Sequence, residues 1–363
     1  MICMITDNRF GDVEIERAIL EAKGVELAMA SCASSSEVVA ACKNADGLLV
    51  NLAPLDAAAI ESLPRCKVIS RYGVGLDNID LAAAGRMGMI VRNVPGYCDR
   101  EVAEHALGLI FAIARGIPER DRAVRKGAWN SVAPGRRIGG STLGILGFGG
   151  TAQALARSAL SLGFSRILVW SPHIDADRIA SALGSQAGFG RGGGRRDSGG
   201  GGRDNGDGFG SGSGGRRRDS GGGGRDSGGE TAVLPTSFDE LIATSDWISV
   251  HLPLRPETRG IIGAEAFARI KKGSALVNVA RGQLVDEDAL IEALESGKLG
   301  GAGLDVYAAE PLPPGSRLLS APHLVLTDHS AYASVESIEE LRTRCTQNAL
   351  EVLLAPAGGF ANR

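Results

Sequence analysis

Short apolar runs recur along this chain and alternate with stretches of helical spacing. Residues 2–6, 48–50 and 67–72 read as buried strands. Between them, residues 13–23 and 36–43 repeat apolar side chains three and four apart, the period of a helix with one buried face. Residues 99–115, DREVAEHALGLIFAIAR, predict a long apolar helix. Its acidic first turn and terminal Arg115 match the sign of the helix dipole at each end. Gly116 and Pro118 then mark a boundary. A second series begins at 141–150, STLGILGFGG. Strands are expected at 143–146, 167–170, 247–250, 275–279 and 303–306. Helices are expected at 151–162, 237–243, 264–270, 286–296 and 334–354. Such alternation predicts an α/β protein of two doubly wound parallel-sheet domains with a cleft between them.

One stretch breaks the pattern. Of the 52 glycines among 363 residues, 21 fall within 188–229. The segment RRDSGGGGRD occurs at 195–204 and again at 217–226. Half glycine and nearly free of aromatics, this Gly/Arg/Asp/Ser repeat has too little apolar surface to offset its ordering entropy, so it is expected to be a disordered insertion. Its eight Arg and five Asp make it basic, whereas the whole chain carries −3. An acidic body argues against nucleic acid and against a membrane surface as partners. No apolar run approaches the ~20 residues of a membrane span. Asp7 comes too early for a secretory signal. Six scattered cysteines without a CxxC pair read as reduced thiols in the cytoplasm, with no metal site.

The sequence LGILGFGGTA carries GxGxxA at Gly147, Gly149 and Ala152, between a predicted strand and a predicted helix. Gly147 suits a tight turn and Gly149 a close backbone approach to a diphosphate. Ala152 lets helix and strand pack closely, and the helix N-terminus faces the anion. That context makes the second domain Rossmann-like and names Gly147, Phe148, Gly149, Gly150 and Thr151 as cofactor-binding. The next strand normally ends in an acid that binds the ribose of NAD. NAD is the expected cofactor, but here the strand ends in Ser171, which weakens that expectation and admits NADP.

Six segments then occur in the order of one family: RYGVGLDNID (71–80), NVPGYCDREVAEHALGL (93–109), TLGILGFGG (142–150), HLPLRPETRGII (251–262), VNVARGQLVDEDALIEALESGKLGGAGLDVYAAEPLP (277–313) and LTDHSAY (326–332). Together they resemble the D-isomer-specific 2-hydroxyacid dehydrogenases. Within that family they look most like the branch of C-terminal-binding and phosphoglycerate-dehydrogenase-like proteins.

The resemblance implies two Rossmann-like domains: a substrate domain at 1–115 with 309–363, and an NAD(P)-binding domain at 116–308. It implies an NAD(P)-dependent oxidoreductase acting on a small D-2-hydroxy acid or 2-keto acid, and a homodimer. The family's catalytic residues fall on Arg281, Glu310 and His329. The substrate carboxylate site falls on Arg71, Val74 and Gly75. His251, Pro253, Val279, Ala280 and Asp305 join the cofactor set, Asp305 near the nicotinamide carboxamide. The chemistry suits these residue types. Imidazole takes and returns a hydroxyl proton near neutral pH, and a carboxylate beside it orients it and favours its charged form. Guanidinium is a planar, permanent partner for a carboxylate. Two positions depart from the family: Ser171 in place of the acid, and Asp328 where Pro usually precedes the histidine, a second carboxylate expected to act on His329. The rival reading is a binding protein that senses NAD(H) with little turnover.

Overall fold

The structure is a computed structural model that describes residues 1–184 and 231–356. The repeat at 188–229 lies outside the described residues. The chain builds two parallel sheets. The first uses β1 (Ile2–Ile5), β2 (Glu26–Met29), β3 (Gly47–Val50), β4 (Val68–Arg71) and β5 (Ile90–Arg92), in the order β2-β1-β3-β4-β5. The helices threaded between them are α1 (Glu14–Glu21), α2 (Ser35–Cys42), α3 (Ala57–Glu61) and α4 (Leu81–Arg86). Side chains of Ser34, Asp56 and Asp80 cap α2, α3 and α4 by accepting backbone N–H bonds. Such caps are worth about 1 kcal/mol each, which matters for helices this short.

Then come α5 (Asp99–Arg115) and α6 (Ile117–Arg125), joined at Gly116 in the left-handed region. Gly116 and Pro118 thus end one helix and open another. The second sheet follows with β6 (Thr142–Leu146), α7 (Gly150–Leu160), β7 (Arg166–Trp170), α8 (Ala176–Leu183), β8 (Ala232–Pro235), α9 (Phe238–Thr244) and β9 (Trp247–Val250). It continues with α10 (Ala264–Arg269), β10 (Ser274–Asn278), α11 (Glu287–Glu295), β11 (Leu299–Leu304) and β12 (Leu324–Leu326). Its order is β12-β11-β10-β9-β6-β7-β8. The order reverses between β1 and β3 in one sheet and between β6 and β9 in the other. Ligands of such sheets bind outside the strand ends at those reversals. Last, α12 (Val335–Leu354) returns to the first sheet, packing on β3, β4, β5 and α1.

The seams expected at 115 and 309 do not fall where the packing changes. Within 1–115, α5 packs on α7, β10 and β11 of the seven-stranded sheet, and β12, after residue 309, is that sheet's edge. Glycines are the physical reason. A Cβ on Gly301 or Gly303 of β11 would press into Ile113 and Leu109 of α5. The glycines therefore let the helix lie directly on the strand. The same residues explain why β11 spans 299–304 and not the expected 303–306: LGGAGL lacks the apolar density of a recognisable strand. Among the described residues, no helix is long and apolar enough to cross a membrane. All six cysteines are free and buried.

Candidate active site in the cleft

A cavity of about 740 Å³ opens between the two sheets, lined from both sets of strand ends. On its nucleotide side, Gly147 follows β6 with φ +98°, and a Cβ there would collide with the carbonyl of His251. Gly147 N–H donates to Trp170 O at 2.7 Å, and His251 N–H donates to Leu146 O at 2.7 Å. The turn is thereby pinned to both neighbouring strands. Gly149 then caps α7 without a side-chain bond and has open space where a Cβ would stand. The N–H groups of the first turn are left for a ligand. Gly149, Gly150 and Thr151 line the cavity, while Gly147, Phe148 and Ser171 stand outside its wall. His251 is buried, with Nε2 2.8 Å from Ser249 Oγ and Nδ1 3.3 Å from Thr151 Oγ1. Burial lowers its pKa to about 4, so it is neutral at physiological pH.

The turn after β10 places Val279, Ala280 and Arg281 on the cavity wall, with Pro253 nearby. Asn278 braces the turn: its Oδ1 accepts from Ala280 N–H at 3.1 Å and its Nδ2 donates to Arg281 O at 2.8 Å. Arg281 crosses the cleft. Its Nε donates to Asp77 Oδ2 at 2.9 Å, and Nη1 returns to the Ala280 carbonyl at 2.7 Å. Arg71, Val74 and Gly75 face it from the end of β4. Burial, then the charge of Arg281, lowers the Arg71 pKa, and Arg71 Nε is buried without a hydrogen-bond partner.

His329 and Glu310 meet as expected from sequence, with Nδ1 2.6 Å from Oε2. Glu310 Oε1 also accepts the Tyr307 N–H at 2.9 Å. Burial pushes the Glu310 pKa up. The bonds from His329 and Tyr307 and the charges of His329 and Arg281 outweigh this and hold it below the usual carboxylate value. No hydrogen bond among the described residues engages Nε2 of His329, and the imidazole lines the cavity.

His329 sits at φ +55°, a region L-residues seldom occupy. Asp305 holds it there. Its buried carboxylate accepts from Ser330 N–H and Ala331 N–H, both at 3.0 Å, and from Thr327 Oγ1 at 2.6 Å. Asp305 lines the cavity, yet these bonds make it the anchor of the histidine loop, a role the motif alone did not reveal. Asp328 does not turn onto the imidazole. Its carboxyl is engaged first by Ser330 and then by its own backbone N–H, which lowers its pKa.

Sequence reasoning singled out neither Asp77 nor Asp99, which the fold brings to the same cavity. Asp77 stands six residues beyond Arg71, but its partner is 204 positions away, so no local spacing marks the pair.

Comparison with known proteins agrees with this geometry. The sequence profile of "D-isomer specific 2-hydroxyacid dehydrogenase, NAD binding domain" matches residues 107–188 and 225–331. A glyoxylate reductase of Korarchaeum cryptofilum is 33% identical over 328 residues, covering 89% of this chain and 82% of that one. A D-3-phosphoglycerate dehydrogenase of Mycobacterium leprae is 34% identical over 327 residues, covering 90% of this chain and 52% of that one. The chain thus spans about half the length of the phosphoglycerate dehydrogenases of mycobacteria that it matches. The crystal structure of a glyoxylate reductase from Paecilomyes thermophila superposes with a TM-score of 0.77 at 26% identity, covering 99% of this chain and 97% of that one. With its two doubly wound sheets and its nucleotide turn, the chain belongs to the D-isomer-specific 2-hydroxyacid dehydrogenase family.

Proposed function

We infer that the protein is an NAD-dependent oxidoreductase moving a hydride between the nicotinamide and C2 of a small D-2-hydroxy acid or its 2-keto acid. The observation that carries this reading is the His329–Glu310 pair, set on the same cavity as Arg281 and the open turn at Gly149. The turn fits a dinucleotide: it has open space at Gly149 and an uncapped helix N-terminus behind it. Gly149, Gly150 and Thr151 would hold the diphosphate. Val279, Ala280, His251 and Pro253 would flank the nicotinamide. When bound, NAD supplies the hydride acceptor, and the remaining work falls to side chains.

In the oxidative direction, His329 Nε2 takes the proton of the substrate hydroxyl. Glu310, already ionised, steadies the imidazolium that forms. In reduction, the same nitrogen returns the proton to the carbonyl oxygen. Arg281 binds the substrate carboxylate and polarises the carbonyl. Backbone N–H groups at Val74 and Gly75, with Arg71, complete the carboxylate seat. Asp305 acts through the loop it anchors.

Purified protein is expected to oxidise NADH when given glyoxylate, hydroxypyruvate or pyruvate, followed by absorbance of the reduced nicotinamide. NADPH belongs in the same panel, because Ser171, not an acid, follows β7 and Arg178 lies a few residues on, bonded to the His173 carbonyl at 2.7 Å. NADH binding without turnover on any keto acid would overturn the enzyme reading in favour of a sensor. A second copy of the chain is the partner we assign to the exposed apolar side chains Phe111, Ile117, Val124 and Trp129, the last 79% exposed. Light scattering should then give twice the monomer mass. Six buried thiols suit a reducing compartment, and we place the reaction in the cytoplasm.

A further inference from the structure

The nucleotide turn is accompanied by a charge for which the hydride chemistry has no use. Asp99 opens α5, and its carboxylate lies against Gly150 in the first turn of α7, where a Cβ would overlap it. Its Oδ2 is also 3.8 Å from the place of a Cβ on Gly96. Asp99, Gly149, Gly150 and Thr151 all face the cavity. The N-termini of α5 and α7 converge here, and both attract negative charge. A diphosphate on residues 149–151 would therefore share its seat with a carboxylate of like sign.

We propose that Asp99 sets the affinity for the dinucleotide: ionised, its carboxylate opposes the diphosphate across the 149–151 turn, and neutral, it does not. This rests on the dinucleotide reading of the turn. Burial, and then the charge of Glu101, raises the Asp99 pKa above the ordinary aspartate value. Glu101 lies on the same helix and accepts a bond from Ser334 Oγ at 3.1 Å. Of the other segments around the carboxylate, 149–151 carries no titratable side chain, and 95–98 carries Tyr97 and Cys98, whose pKa values burial pushes up so that both stay neutral. His251, behind Thr151, is held neutral by burial. A bound diphosphate makes ionisation of Asp99 harder still, so binding draws a proton onto it. Affinity must then rise as pH falls from neutral through the raised Asp99 pKa.

The test uses NADH and also ADP-ribose, which has the diphosphate but no nicotinamide and so stays clear of His329. Asp99→Asn keeps the shape and removes the charge. It is expected to tighten both ligands about tenfold near pH 7.5 by calorimetry or fluorescence, and to flatten the pH dependence of Kd. On the unaltered protein, ADP-ribose heats in two buffers of different ionisation enthalpy, measured in steps downward from pH 7.5, should reveal proton uptake. Equal affinities with parallel pH profiles in the two proteins, or binding without proton uptake, would overturn the proposal. Should Asp99→Asn fail to fold, the two-buffer measurement decides alone. If neither ligand binds either protein, the dinucleotide reading itself falls; binding without a difference removes the Asp99 assignment only.

Discussion

Two clusters of charge lie beside the C-terminal helix of the first sheet, one just ahead of its first turn and one on its buried face, and they are built on opposite principles. Behind that sheet, Arg342 of α12 donates to Glu16 from Nε at 2.9 Å and Nη2 at 2.7 Å. It also reaches Asp12 at 2.7 Å, and Tyr72 Oη donates to Glu16 at 3.0 Å. Arg342 is 5% exposed and Glu16 1%. Both Glu16 oxygens and the Nε and Nη2 of Arg342 are engaged, and the Phe10 ring packs over the guanidinium. In the cleft, by contrast, the His329 and Glu310 side chains are each about one-third exposed, and one bond joins them. Arg281 holds Asp77 by one bond and keeps Nη2 for another partner. A cluster so buried and so multiply bonded holds structure, because a substrate cannot reach it. An unsaturated one has capacity to lend.

Breaking the cleft cluster should leave folding intact and cost the most in rate. His329→Ala is expected to lower kcat about a thousandfold, as loss of a general acid–base does, while its unfolding midpoint falls only by the small share of stability that its bond to Glu310 supplies. Full retention of turnover would remove the proposed mechanism. Breaking the buried cluster should do the reverse. Arg342→Ala strands the Glu16 carboxylate and should lower stability by about 3 kcal/mol or more in urea unfolding, with kcat of the surviving native protein near wild type. A loss below about 1 kcal/mol would show that the two clusters do not differ as described.

Glu310→Gln sharpens the contrast. It should reduce kcat about ten- to a hundredfold, since the imidazolium loses its counter-charge. The unaltered Glu310 has a depressed pKa, so its contribution to stability is present above the ordinary carboxyl value and is lost as pH falls through the depressed one. Acid denaturation of Glu310→Gln should therefore begin from a less stable protein but show a shallower slope there. The smallest effect belongs to Asp77→Asn. That pair is half exposed, so KM for the keto acid should change only about two- to threefold.

The alternation of strands and helices and the GxGxxA turn were legible from residue types, because each follows from local spacing; Arg281, Glu310 and His329 were singled out only through the family resemblance. What escaped had non-local causes. β2 and β5, Glu26–Met29 and Ile90–Arg92, are short and only partly buried, and neither was expected from the sequence. The place of α5 depended on glycines nearly two hundred residues away, at 301 and 303. The backbone strain at His329, and the bonds from Asp305 that sustain it, leave no mark on the sequence. Neither does the partnership of Asp77 with Arg281, which exists only once the two sheets face each other.

The return of α12 has a consequence for how the protein is made. Strands β1 to β5 are complete by Arg92, but the helix that covers them begins at Val335. Leu353 packs against Gly47 and Val68, and Ser70 Oγ donates to the Cys345 carbonyl at 2.7 Å, so the sheet's inner face waits for these residues. At about 5–20 residues per second, a ribosome leaves that face bare for about 10–50 s. Meanwhile the seven-stranded sheet can close on α5. The first sheet to be synthesised is thus the last to be sealed, and a message truncated before residue 335 should yield aggregates, not a smaller soluble domain.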